Sequence, residues 1–396
     1  MDPELPGNTS APTTINYDQY RFAGLPATYF NTAANDADGV TECILYGGMK
    51  EAICAQPDFP KAVPRALVPA HQIAPSVGAG LGMFATRAIR AHELIFAERP
   101  LLLMPAAFWP TQGRGFDRES MIAHSNEMLK CAIKRMTPAN RAAYCALSNS
   151  HLRDGSPELF GILRTNGFSV GERLREVITQ LPEGPMGMFT VIGKELSRIN
   201  HSCSPNSHVD FDLCSLSLRV SAVRNIAEGE EITTMYCDLL DPCTTRRRTL
   251  SPYGFTCACE ACQHRIDSDV RRRRIHASHH LWKDATFERW LRKPPQVDDQ
   301  YKMQLLRLLR LIEEENLQLL QGYRNTRQKL AFVCAALGDK PNAIKYAKDV
   351  IGTRSPIRGV VPISAEKTLL NKAARSLIEP HLSKKVGART HEMSRA

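Results

Sequence analysis

The chain has 396 residues, 43% of them hydrophobic, which is enough for two or three domains with real cores. Lysine plus arginine exceed aspartate plus glutamate by 51 − 41 = 10, which permits acidic partners such as nucleic acid or chromatin without establishing them. No run of about eighteen apolar residues occurs, so no segment is built to span a membrane.

Residues 1–73 are rich in Pro, Asn, Thr, Asp and Ala with no sustained period, and predict a largely irregular N-terminal extension with a few short elements. Its start lacks a basic region followed by an apolar run, which predicts a reducing, intracellular location in the nucleus or cytoplasm. Over 74–104, Gly78-Ala79-Gly80-Leu81-Gly82-Met83-Phe84-Ala85-Thr86 leads to Leu94-Ile95-Phe96-Ala97-Glu98, two β-type segments that read as a hairpin turning at Arg90-Ala91-His92-Glu93. The glycines let backbone approach a ligand closely, and a strand follows where a dinucleotide fingerprint needs a helix. Residues 105–165 predict a helical insertion, with Met121, Met128, Leu129, Ile133 and Met136 at helical spacing and Thr137-Pro138 as cap and first turn of a second helix.

The segment 166–238 returns to strands: Phe189-Thr190-Val191-Ile192 precedes Arg198-Ile199-Asn200-His201-Ser202-Cys203-Ser204-Pro205-Asn206. Alternation follows at Val209, Phe211 and Leu213, then at Leu216, Leu218, Val220 and Ala222. Ala227-Glu228-Gly229-Glu230 turns into Glu231-Ile232-Thr233-Thr234-Met235-Tyr236-Cys237-Asp238. Residues 239–265 contain Tyr253 and Phe255 and the cluster Cys257-Ala258-Cys259-Glu260-Ala261-Cys262. Thiolates are the soft ligands that zinc prefers, and a structural site is closed by four, so three clustered cysteines must borrow one from elsewhere. Cys203 is the natural lender, with Cys237 and Cys243 as rivals. From 266 to 396 the composition is helical, including 304–312 and 329–337 and a break at Gly338-Asp339-Lys340-Pro341. The basic runs Arg246-Arg247-Arg248 and Arg271-Arg272-Arg273-Arg274 read first as solvated helix faces and second as import or nucleic-acid patches.

Asn-His-Ser-Cys, then Gly-Glu-Glu-Ile through Tyr236, then Cys-x-Cys-x-x-Cys, in that order, resembles the core of SET-domain protein lysine methyltransferases. The resemblance is to the SMYD-like branch, whose MYND finger of seven cysteines and a histidine is missing here, since only Cys131 and Cys145 occupy that region. It implies an α+β SET fold of small sheets with a pseudoknot, a helical insertion, a zinc-bound post-SET segment and a C-terminal helical, TPR-like domain. It also implies S-adenosylmethionine as methyl donor, held by Gly78, Ala79, Gly80, Leu81, Asn166, Asn200, His201, Tyr236 and Phe255. Tyr236 matches the catalytic tyrosine and, with Tyr253, walls a lysine channel, while Cys203, Cys257, Cys259 and Cys262 hold a structural zinc. The activity implied is protein-lysine N-methylation by a monomer acting on a histone or non-histone protein. The alternatives are a catalytically weak SET protein serving as a peptide-binding scaffold, and a nucleic-acid binder using its basic runs.

Overall fold

The computed structural model describes residues 14–26, 38–106, 117–291 and 300–352. Among them twelve strands run in chain order: β1 (Asn16–Leu25), β2 (Thr41–Gly47), β3 (His71–Ser76), β4 (Gly80–Ala85), β5 (Leu94–Glu98), β6 (Leu102–Pro105), β7 (Phe168–Ser169), β8 (Phe189–Ile192), β9 (Asn200–His201), β10 (Ser207–Asp212), β11 (Ser217–Ala222) and β12 (Glu231–Thr234). They make three small sheets, ordered β1-β2-β6-β8-β7, β10-β11-β5 and β3-β4-β12-β9.

β2 is buried along its whole length, including Glu42, whose carboxylate accepts from Arg135 Nε at 2.5 Å. It pairs antiparallel with β1 and parallel with β6, and α1 (Met49–Cys54) follows it. The irregular extension expected over 1–73 is therefore corrected for residues 16–25 and 41–54. A strand covered on both faces reads as a continuous apolar run, here Cys43-Ile44-Leu45-Tyr46, and shows none of the alternation that marks a half-exposed strand. The expected hairpin at 90–93 is also corrected. β4 pairs with β3 and β12, whereas β5 pairs with β11, so the turn carries the chain from one sheet to another.

Helices α2 (Arg118–Arg135), α3 (Pro138–Cys145) and α4 (Glu158–Asn166) form the insertion. Asp117 caps the first, accepting from Ser120 N–H at 2.7 Å, and Thr137 caps the second, accepting from Asn140 N–H at 3.2 Å. Leu129, Ile133 and Met136 bury against Ile44, Leu102, Met104 and Ile192 of the five-stranded sheet. Beyond β7 come α5 (Gly171–Val177), α6 (Cys243–Leu250), α7 (Glu260–Gln263) and α8 (Arg265–Ala277). The C-terminal unit continues with α9 (Asp284–Leu291), α10 (Gln300–Glu314), α11 (Gln321–Ala336) and α12 (Lys340–Gly352). Gly338 breaks α11 from α12 with φ of 77°, the left-handed conformation that favours glycine after a helix end. Leu305, Leu309, Ile312, Leu330 and Val333 make this unit's core, which Leu239 joins from the strand side. Among the described residues no helix is long and apolar enough to cross a membrane.

Candidate active site and thiol cluster

The two segments expected to meet lie side by side: β9 and β12 pair in parallel, Thr233 opposite Asn200 and Thr234 opposite His201. Two residues make a short parallel pair, and Ser202 N–H, Ser207 Oγ and above all Asn206 add bonds to β12. Its Nδ2 donates to Glu231 O at 2.8 Å and its Oδ1 accepts from Thr233 N–H at 2.8 Å. Fully buried, it acts as one more rung for β12. Sequence reasoning gave it no role, although it closes the Asn200 to Asn206 motif.

Asn200 Nδ2 donates to Leu81 O at 3.1 Å and to Glu231 Oε1 at 2.8 Å, binding the glycine-rich turn to β12. Gly78 and Gly80 hold φ of 75° and 74°. Gly82 is required by close approach, because a Cβ there would meet Glu231 Oε1 at 2.4 Å and Ser76 Cβ at 2.9 Å. A cavity of about 860 Å³ opens here, lined by Gly78, Ala79, Leu81, Asn166, Asn200, His201, Tyr236, Tyr253 and Phe255 among others. Gly80 shapes the turn but is not part of the wall.

A second cavity of about 500 Å³ lies against the first and includes Phe168, Ile199, Met235, Asp238 and, from the C-terminal unit, Leu320. Thr165, Asn166, Ser197, Tyr236 and Tyr253 line both cavities. Asn166 is fixed at the end of α4, its Nδ2 donating to Ser148 O and Ile162 O at 2.8 Å each. The Tyr236 and Tyr253 rings lie 4.9 Å apart, and the His201 ring is 5.5 Å from Tyr236 and 6.3 Å from Phe255.

Tyr236 O–H donates to Ile199 O at 2.6 Å, and burial pushes its phenol well above the usual range. The hydroxyl therefore stays protonated, with its proton committed and its oxygen left as an acceptor. Tyr236 N–H donates to His201 Nδ1 at 3.0 Å. A backbone amide can only donate, so Nδ1 is unprotonated and the neutral ring carries its proton on Nε2, 3.3 Å from Cys203 Sγ. Both ring nitrogens are thus used inside the protein, and the ring face is what His201 offers the cavity.

The sulfurs of Cys203, Cys257, Cys259 and Cys262 all lie within 4.8 Å of one another, with Cys203 3.9 Å from Cys257 and 3.6 Å from Cys262. A zinc tetrahedron with bonds of about 2.3 Å has sulfur–sulfur edges of about 3.8 Å, so the geometry and the donor set both suit such an ion. Cys237 groups instead with His201 and Cys203, and Cys243 joins neither group. The Cys237 group is a poor alternative because His201 Nε2 carries a proton and has no lone pair to give.

Neither basic run is a simple solvated face. Arg246 and Arg272 have no exposure at all. Arg272 Nε lies 2.9 Å from Glu315 Oε2, and its Nη2 donates to Cys203 O at 3.0 Å and Ser204 Oγ at 3.2 Å, tying the C-terminal unit to the loop after His201.

Residues 80–237 match the SET domain family model, a range that holds Asn200, His201 and Tyr236 but begins after Gly78 and Ala79. The chain carries a SET domain. The curated proteins it is similar to include SMYD and SET5 histone-lysine methyltransferases. Histone-lysine N-methyltransferase set5 of Schizosaccharomyces pombe is 29% identical over 211 residues, 52% of this chain and 56% of the relative. Histone-lysine N-methyltransferase SMYD3 of Homo sapiens is 30% identical over 212 residues, 49% of this chain and 46% of the relative. SMYD1 of Homo sapiens is 29% identical over 124 residues, 28% of this chain and 24% of the relative. The chain thus spans little more than half the length of such relatives at most. Among solved structures, the Neurospora SET domain protein DIM-5 is 18% identical with a TM-score of 0.23, covering 44% of this chain and 54% of that one, too slight a likeness to build on.

Proposed function

We propose that this chain is a protein-lysine N-methyltransferase that uses S-adenosylmethionine. The observation that carries the proposal is the pair of cavities sharing a wall at Tyr236 and Tyr253, one lined by the glycine-rich turn and the other by SET and C-terminal residues. When bound, S-adenosylmethionine supplies a methyl group activated by its sulfonium. Gly78, Ala79, Leu81, Asn166, Asn200, His201 and Phe255 would hold it in the larger cavity, His201 and Phe255 through their ring faces.

The smaller cavity would admit a substrate lysine between Tyr236 and Tyr253. Desolvation by those rings pushes an entering ammonium towards the neutral amine that nucleophilic attack requires. Tyr236 does not take the proton, because its phenol stays protonated throughout the physiological range; water in the cavity carries it away. The lone pairs of its oxygen accept from the amine N–H and from polarised C–H groups, fixing alignment at the reacting centre. Cys203, Cys257, Cys259 and Cys262 would hold one structural zinc, with no position open to water. The substrate is a protein presenting a lysine, and the setting is the nucleus or cytoplasm.

Tyr236→Phe tests this reading with a substrate found by methyl-transfer labelling of a cell lysate. Ring volume is kept and one hydroxyl is lost, so cofactor affinity should change little while turnover falls about a hundredfold, roughly 3 kcal/mol. Unchanged methyl transfer would refute the role given to Tyr236, and a native chain that binds no S-adenosylmethionine would refute the activity.

A further inference from the structure

Among the described residues two arginines, Arg246 and Arg272, are fully buried, and both address Cys203 in different ways. Arg272 holds its carbonyl oxygen, whereas Arg246 holds its sulfur. Arg246 Nε is 3.2 Å from Cys203 Sγ and its Nη2 is 3.9 Å from Cys262 Sγ, so one edge of the guanidinium spans an edge of the sulfur tetrahedron. The remaining Nη1 donates to Asp241 O and lies 3.5 Å from Asp269 Oδ1. That carboxylate is already occupied by Cys243 N–H at 2.9 and 3.1 Å. A guanidinium without access to water needs negative charge in contact with it. A carboxylate at 3.5 Å is a loose counter-ion, and the sulfurs present the closer anion.

We propose that Arg246 is the outer-shell counter-ion of the metal–thiolate centre, an inference that rests on the zinc reading of Cys203, Cys257, Cys259 and Cys262. Four thiolates around a divalent ion leave two negative charges inside the protein, and Arg246 offsets one of them. Its planar fork also fixes the separation of Cys203 and Cys262, which lie on segments far apart in the chain. A lysine would bring the charge but reach only one sulfur. His201 Nε2–H adds a second donor to Cys203 Sγ, so the ligand that joins the cluster to the cavity wall is also the one most surrounded by hydrogen.

The test uses the full chain and zinc alone as the probe. Zinc content is measured by atomic emission, and affinity by competition with a chromogenic chelator, for the native protein, Arg246→Met, Arg246→Lys and Arg272→Met. The last removes an equally buried guanidinium that touches no sulfur. The native chain should hold one zinc, Arg246→Met should bind it about 10- to 100-fold more weakly, Arg246→Lys should fall between the two, and Arg272→Met, which loosens the Cys203 loop without touching a sulfur, should weaken binding less than Arg246→Met and leave the cobalt band unshifted. The cobalt-substituted protein should show a shifted sulfur-to-metal charge-transfer band in both Arg246 variants. If Arg246→Met does not fold, Arg246→Lys decides, and native affinity with an unshifted band in that variant overturns the proposal. So does equal zinc loss in Arg272→Met, which would make the effect one of packing. A folded native chain that takes up no zinc removes the metal reading itself, and this inference with it.

Discussion

Replacing Arg272 with methionine removes the buried pair with Glu315 while keeping most of the aliphatic stem. The substitution removes donors from Cys203 O, Ser204 Oγ and Leu239 O as well as from the carboxylate. Breaking a buried pair from one side costs about 3–5 kcal/mol. Glu315 still keeps Ser268 Oγ at 2.6 Å and Arg271 Nε at 2.5 Å, which places the loss at the lower end. The three other acceptors each lose a donor at about 1 kcal/mol in addition, so about 3 kcal/mol is a lower bound on the total loss. Equilibrium urea unfolding measures it, with Trp282 and Trp290 fluorescence reporting the C-terminal unit and far-ultraviolet circular dichroism the whole chain. Arg273, the exposed neighbour, is the control, and Arg273→Met should stay within about 0.5 kcal/mol of native. An Arg272→Met protein within about 1 kcal/mol of native, or an equal loss in Arg273→Met, would refute the reasoning.

Three further outcomes follow from the site. Cys259→Ser should release the zinc and loosen the segment carrying Tyr253 and Phe255, read as loss of metal in emission analysis and faster proteolysis there; full zinc occupancy would place the ligand elsewhere. Gly82→Ala should force apart Ser76 and the Asn200–Glu231 pair, costing about 1–3 kcal/mol and weakening S-adenosylmethionine binding in calorimetry, and native affinity would show that the turn can yield. Burial beneath the Glu195–Leu196 turn raises the Glu98 carboxyl from 4.5 to about 7. A raised folded-state value means stability is fully present below 4.5 and declines as pH rises towards 7, so Glu98→Gln should flatten urea stability between pH 5 and 8; an unchanged slope would assign it to another group.

What the sequence discloses and what it hides divide by how local the chemistry is. Asn200-His201 through Cys203, the Tyr236 segment and the three-cysteine cluster are short strings whose residue types already state their chemistry, and folding needs only to bring them together. β2 escaped because burial on both faces erases alternation. The turn at 90–93 misled because a strand's partner is chosen by the whole sheet, and β5 finds β11 far along the chain. Arg272 was unreadable for a related reason: four consecutive arginines look alike until the fold buries one of them completely. Asn206 lay in plain view, but an amide that completes a strand ladder has no signature of its own.

The pairing of β4 with β12 also sets a timetable for biosynthesis. Chains emerge N-terminus first, at roughly 5–20 residues per second, so β4 is made with only β3 beside it. Its other neighbour, β12, follows the insertion, β8 and the β10–β11 hairpin. Until then an unpaired edge stands open on β4, a template for pairing with another nascent chain. A polypeptide halted before Glu231 would therefore lose more than its tyrosine. It would keep that edge exposed and invite aggregation, so the strand that completes the pocket is also the one that seals the sheet.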